Sequence, residues 1–237
     1  MRMRIMYHFS NGPVINMSDC KYCGCSGWFF ALSKSGLCQN CGHMVSLEIA
    51  QRRDSFRDAA ERASQTGNPH SKIARLDQAL SHLEALAKLE ERGIEALEGT
   101  ASDQLKARKE ERDRLILETS RRETEEALAK VSGAQGPKAK IATCQALLLK
   151  LSEYKLKLSD AEPLSLLERR LQDCAHQIRL NELLEKAKEE EDAGRRDSAY
   201  GLYREAAGFL KASDMDPDLR TRHLVRLNGK LKELKPK

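Results

Sequence analysis

Four cysteines near the start of the chain have the types and the spacing to do chemistry. Cys20-Lys21-Tyr22-Cys23-Gly24 and Cys38-Gln39-Asn40-Cys41-Gly42 are two Cys-x-x-Cys-Gly knuckles. Two such pairs can close a tetrahedral shell of four thiolates around one zinc ion; iron accepts the same ligands but is the lesser alternative. A shell filled by four protein ligands keeps no position open for a substrate, so the expected role of the metal is folding free energy rather than catalysis. The glycine after each pair allows a tight turn that points backbone N–H groups at sulfur. The competing chemistry is thiol–disulfide exchange, but neither pair has the strand-to-helix setting of a thioredoxin-type site. Cys25 and His43 each sit two residues past a knuckle cysteine and read as spares outside a four-ligand shell.

The elements that must position these thiols are small. Gly27-Trp28-Phe29-Phe30-Ala31-Leu32 reads as a short strand, Ser33-Lys34-Ser35-Gly36 as a turn, and Leu37 leads into the second knuckle. A hairpin of this size is marginal alone and needs its metal. This stretch of about 25 residues resembles the zinc-ribbon superfamily, whose members do many unrelated jobs. Trp28 and Phe30 are candidate partner-contact residues, because strand alternation leaves at least one face of the aromatic run open. The competing reading gives them to the ribbon's own minimal core.

After Ser46 the apolar residues follow helical spacing. The sequence predicts a helix ending at Gly67-Asn68, then one capped by Asn68-Pro69 and carrying Ile73, Leu76, Leu80, Leu83, Leu89, Ile94 and Leu97. A long polar helix over 102–131 is the candidate connector, since its apolar positions thin out. Ser132-Gly133-Ala134-Gln135-Gly136-Pro137 breaks the chain, and four more helices follow: one from Pro137, one over about 163–193, one over about 197–211 and one over about 217–234. Pro69-His70-Ser71-Lys72-Ile73-Ala74 recurs as Pro137-Lys138-Ala139-Lys140-Ile141-Ala142, 68 residues later. The expected fold is mainly α: an extension over 1–16, a zinc ribbon over 17–45, a helical hairpin region over 46–131 and a second helical domain over 132–237. The helices form an array of antiparallel hairpins, each burying its stripe on the next.

Within that array, Ala187, Gly194, Ala199, Tyr203 and Ala206 have the spacings of small, turn, small, aromatic and small positions in a tetratricopeptide repeat, which the last hairpin resembles. Glu190 stands where the family has an aromatic, and Pro217 comes several residues late. The third helix, after Pro217, also makes the end of the chain similar to the three-helix microtubule-interacting-and-trafficking bundle. What a tetratricopeptide-like repeat implies is binding of peptides or partner helices, with Tyr200, Tyr203 and Phe209 as candidate contacts.

Composition limits the remaining options. Aromatic residues are 5% and charged residues 32% of the chain, a balance that suits long helices better than a sheet-based enzyme. The net charge of +5 overstates the basicity of the metal module. Over 17–53, Lys21, Lys34, Arg52 and Arg53 oppose Asp19 and Glu48, and four thiolates on a divalent ion remove the surplus. The strongest basic run is terminal: Arg220, Arg222, Arg226, Lys230, Lys232, Lys235 and Lys237. It suits a phosphate or acidic partner, or simply forms the wet side of an amphipathic helix. No phosphate loop, nucleophile elbow or second metal motif is present. No apolar run approaches the roughly 20 residues of a membrane span, and the first residues lack the apolar core of a signal peptide. The cysteines point to a reducing, cytoplasmic setting. The expected function is a non-enzymatic zinc-ribbon adaptor that binds a protein partner through helical grooves. The alternative is a nucleic-acid-binding regulator using the ribbon and the basic terminal helix.

Overall fold

The computed structural model describes residues 19–26, 31–134 and 136–235. The expected extension over 1–16, and the candidate contacts Trp28 and Phe30, lie outside the described residues. Seven helices are described: α1 (Gln39–Gln65), α2 (Pro69–Glu90), α3 (Ala101–Gly133), α4 (Pro137–Lys155), α5 (Glu162–Asp192), α6 (Arg196–Ala212) and α7 (Pro217–Leu234). There is no strand among the described residues; the expected hairpin is represented by one antiparallel bridge, Leu32 to Cys38. The all-helical array expected from periodicity is therefore the architecture.

Proline marks the helix starts. Pro69, Pro137, Pro163 and Pro217 each fall at one of the first two positions of a helix, where the missing N–H costs nothing. Asn68 caps α2 as the sequence indicates, its side-chain oxygen accepting from the N–H groups of His70 and Ser71 at 2.9 and 3.1 Å. Thr100 caps α3 by accepting from the Asp103 N–H at 3.1 Å, while its hydroxyl donates to the Asp103 carboxylate at 2.6 Å.

Two departures from the sequence reading matter for the site. Helix α1 starts at Gln39, inside the second knuckle, rather than after Ser46. Helix α2 stops at Glu90 rather than continuing through Leu97. Gly93 takes a left-handed φ of 72°, and the Ile94 N–H donates back to the Leu89 carbonyl at 3.1 Å, closing the helix end. The apolar period appeared to run on because Ile94 and Ala96, in the loop, are buried beside the helix they follow.

The chain divides into two compact units between Arg112 and Asp113, within α3. In the first, α1 packs on α2, with Phe56, Ala59, Ala79 and Leu83 forming one core cluster and Leu86, Ala87, Ala96 and Ala101 another. Lys72 pairs with Glu111 at 3.3 Å and Lys109 with Glu84 at 3.1 Å, tying the first turns of α3 to α2. In the second unit, α4 packs on α5, α5 on α6 and α6 on α7. The later part of α3 is not a bare connector. Ile116, Thr119, Ser120, Thr124, Ala127 and Val131 form a buried face at helical spacing. Its polar members are small, and the Thr124 hydroxyl satisfies itself by donating to the Ser120 carbonyl at 2.8 Å.

Candidate metal centre

The four knuckle thiols converge. The sulfur atoms of Cys20, Cys23, Cys38 and Cys41 all lie within 4.8 Å of one another. For a metal–sulfur bond of about 2.3 Å, the edge of a sulfur tetrahedron is about 3.8 Å, so the set fits one ion of that kind. Cys20, Cys38 and Cys41 are buried and Cys23 forms the exposed edge. Cys25 and His43 are both exposed and stand outside the cluster.

Each knuckle is shaped by its own backbone. The Gly24 N–H donates to the Cys20 carbonyl at 2.8 Å, and the Gly42 N–H to the Cys38 carbonyl at 2.7 Å. The two glycine N–H groups themselves serve carbonyl oxygen. Backbone N–H groups do reach sulfur: the Cys38 N–H donates to the Cys20 sulfur at 3.4 Å, and the Cys41 N–H to the Cys38 sulfur at 3.5 Å. Only Gly24 needs glycine's freedom, at φ 69°; Gly42 sits in the first turn of α1. Cys38 is the N-cap of α1 and Cys41 lies within its first turn. The helix start thus directs its unpaired N–H groups toward the thiolates.

The electrostatics of the protein alone are lopsided. Backbone N–H groups, first that of Cys23 and then that of Cys38, pull the Cys20 thiol down to about 6. Cys41 is pushed the other way, mainly by its contact with the Cys38 thiol and then by burial. Four sulfurs this close cannot all carry negative charge without a cation among them. The donor set therefore fits a thiophilic metal ion.

The centre is anchored. Cys20, Leu37, Cys38, Cys41 and Val45 share one apolar cluster with Leu89 and Ile94, from the end of α2 and the loop after it. Two side chains of the first knuckle reach the same loop. Lys21 donates to the Gly93 carbonyl at 2.6 Å, and the Arg92 guanidinium lies 5.3 Å over the Tyr22 ring. The Lys21 stem passes Gly36 so closely that a Cβ there would meet its Cε at 2.8 Å. Lys21, Gly36, Gly93 and Ile94 are thus site residues that ligand spacing did not identify. The left-handed glycines were the available signal.

The candidate partner contacts are built into the second unit. Tyr203 is buried, and its hydroxyl donates to Glu191 at 2.9 Å. Glu191 also accepts from Lys230 at 3.0 Å; these bonds, Lys230 first, hold its carboxyl below the usual range. Tyr200 and Phe209 are half-buried against the α5–α6–α7 core, and Phe209 meets the His176 ring edge-on at 5.7 Å. Beside Tyr203, a cavity of about 200 Å³ opens between α5 and α7. No helix among the described residues is long and apolar enough to cross a membrane. No protein-family model, curated protein or solved structure matches this chain.

Proposed function

We propose that this chain is a non-catalytic adaptor of the cytoplasm. Its four-cysteine centre holds a structural zinc ion, and its helical hairpins receive a protein partner. The observation that carries the reading is the anchoring of the thiol shell. Its four ligands are all cysteines, three of them are buried, and both of its knuckles pack into the core of the first unit. That arrangement suits an ion that holds a fold together, and all-sulfur ligation favours zinc over harder cations. The residues that would hold it are Cys20, Cys23, Cys38 and Cys41. Zinc bound there supplies stability, and the surrounding residues orient the thiolates and keep water from three of them. Free thiols over most of the chain suit a reducing compartment.

The tetratricopeptide-like reading of the last hairpin is supported by burial. Ala187, Ala199, Tyr203 and Ala206 all sit in one core cluster, and Gly194 turns with φ 75°. The small residues allow α5 and α6 to approach closely, and the tyrosine fills the space between them. The nucleic-acid reading keeps one favourable observation: Arg222, Arg226 and Lys232 are exposed on α7 and make no ion pair with any described residue.

The test is purification of the native protein from its own cells, with elemental analysis. The expected result is about one zinc per chain and a co-purifying protein at stable stoichiometry that is lost when 194–237 are deleted. Metal-free protein, or an associated fraction that is nucleic acid and dissociates steeply as salt rises, would refute the reading.

A further inference from the structure

The cavity between α5 and α7 deserves an occupant of definite chemistry, and resting on the adaptor reading we infer that it takes a single apolar anchor residue from an acidic segment of a partner protein. Size sets the first half of the inference. At about 200 Å³ the cavity is close to the roughly 150 Å³ space that accepts one benzene ring, and below the 300–1,000 Å³ of ordinary cofactor and small-molecule sites. Its floor is Leu184, Tyr203 and Leu227. One leucine-, methionine- or phenylalanine-sized side chain fills such a space, and the rest of the segment must lie across the rim.

The rim supplies the second half. Lys188 on α5 and Arg226 on α7 are exposed and make no ion pair with any described residue. Lys230, deeper, is already matched by Glu191, and Glu191 is itself occupied by both Lys230 and the Tyr203 hydroxyl. Glu185 is the only carboxylate among the lining residues, and His223 adds a further donor. An apolar pocket flanked from two helices by unspent cations complements a segment with aspartate or glutamate on either side of its anchor. Arg226 suits this role through its planar, bidentate guanidinium. Tyr203 is buried in the α5–α6–α7 core beside the cavity. Its ring forms part of the pocket floor, and its hydroxyl fixes the network beneath.

Selection of displayed random 15-residue peptides on the full-length chain tests this. The enriched peptides should share one large apolar residue flanked by acidic residues, and a synthetic consensus peptide should bind in fluorescence polarisation. Arg226→Glu and Lys188→Glu should each weaken it by about fivefold or more, and Leu184→Trp, which fills the cavity, should abolish binding. The helical circular dichroism and thermal midpoint of the two charge variants should match the parent, since both residues are exposed. Peptides whose binding ignores all three variants would overturn this site while leaving a protein partner elsewhere on the scaffold intact. Failure to enrich any peptide, enrichment of neutral or basic ones, or binding of a 20-base-pair duplex lost in the same charge variants would also overturn it.

Discussion

Truncating Ile94 should weaken metal binding, although Ile94 offers no ligand and lies in a loop more than 50 residues from the last knuckle cysteine. Its side chain is 2% exposed and packs in the cluster that holds Cys20, Cys38 and Cys41. Ile94→Ala removes buried methyl and methylene groups and leaves a partial cavity, a change that costs about 2–5 kcal/mol. Knuckles of this size would need a bound metal to fold, so the contact with Ile94 would exist only in the metal-bound fold. A loss of about 3 kcal/mol then appears as weaker metal affinity, by roughly 100-fold at 1.4 kcal/mol per decade. Competition with a chromophoric chelator reads this directly. Leu171→Ala is the control: Leu171 is fully buried in α5 of the second unit, so it should lower stability without moving metal affinity. If Ile94→Ala binds metal within about threefold of the parent, the centre folds independently of the α2 loop and the anchoring argument fails.

Two further outcomes follow from the electrostatics. Arg195 grips Glu190 through two bonds of 2.6 and 2.7 Å across the α5–α6 turn, and with Ser198 it lowers the Glu190 carboxyl to about 2. Because the folded value lies below the ordinary 4.5, the clip's stabilisation is present above pH 4.5 and fades as pH falls toward about 2. Carboxyl-carbon NMR should place the midpoint near 2, and Arg195→Ala should return it toward 4.5; an unshifted midpoint in the parent would discount the clip. Cysteine alkylation at neutral pH should modify exposed Cys25 first and leave Cys144 untouched until the chain is unfolded. Burial, followed by the nearby Cys174 thiol, pushes Cys144 up to about 11, and its side chain is inaccessible. Peptide mapping that found Cys144 modified as early as Cys25 would contradict the packing of α4 on α5.

How much of this was legible depends on the distance over which each signal acts. The thiol shell was legible because ligand spacing is local: two residues separate the members of each pair, whatever the rest of the chain does. The proline-marked helix starts were legible because proline and Asn68 act within one turn, whereas the start of α1 inside the second knuckle was not. The end of α2 was not, because burial of Ile94 and Ala96 mimicked another helical turn. The buried face of α3 was hidden for a different reason. Thr119, Ser120 and Thr124 are counted as polar, yet their small side chains sit against neighbours with little or no exposure. Least legible was the anchoring of the first knuckle, since Lys21 and Gly93 are 72 residues apart and no periodicity links them. Tyr203 showed its type and spacing but not its direction; its ring turns inward and only the cavity beside it opens outward.

The 68-residue offset bears on what a metal ion would do in the first unit. The offset seen in sequence holds for burial: Phe56 and Thr124, Ala59 and Ala127, Ala63 and Val131 are buried at matching positions of α1 and α3. Leu76 and Cys144, Ala79 and Leu147, Leu83 and Leu151, Leu86 and Tyr154 match in α2 and α4. Two hairpins of one pattern therefore each end with an apolar surface that must be covered. After α4 the chain supplies a long helix, α5, whose Leu164, Leu167 and Leu171 are buried and whose Glu168 pairs with Lys155 at 2.8 Å. After α2 the loop 91–100 and the start of α3 follow: Ala101 and Leu105 pack against α2, while Leu89 and Ile94 share their cluster with Cys20, Cys38 and Cys41 of the knuckles. A segment so short buries too little apolar surface to offset its own ordering entropy. Four thiolates closed on one ion would provide the missing stability for this segment. On this argument the four-cysteine centre belongs to the architecture of the first unit, where Leu89 and Ile94 meet Cys20, Cys38 and Cys41.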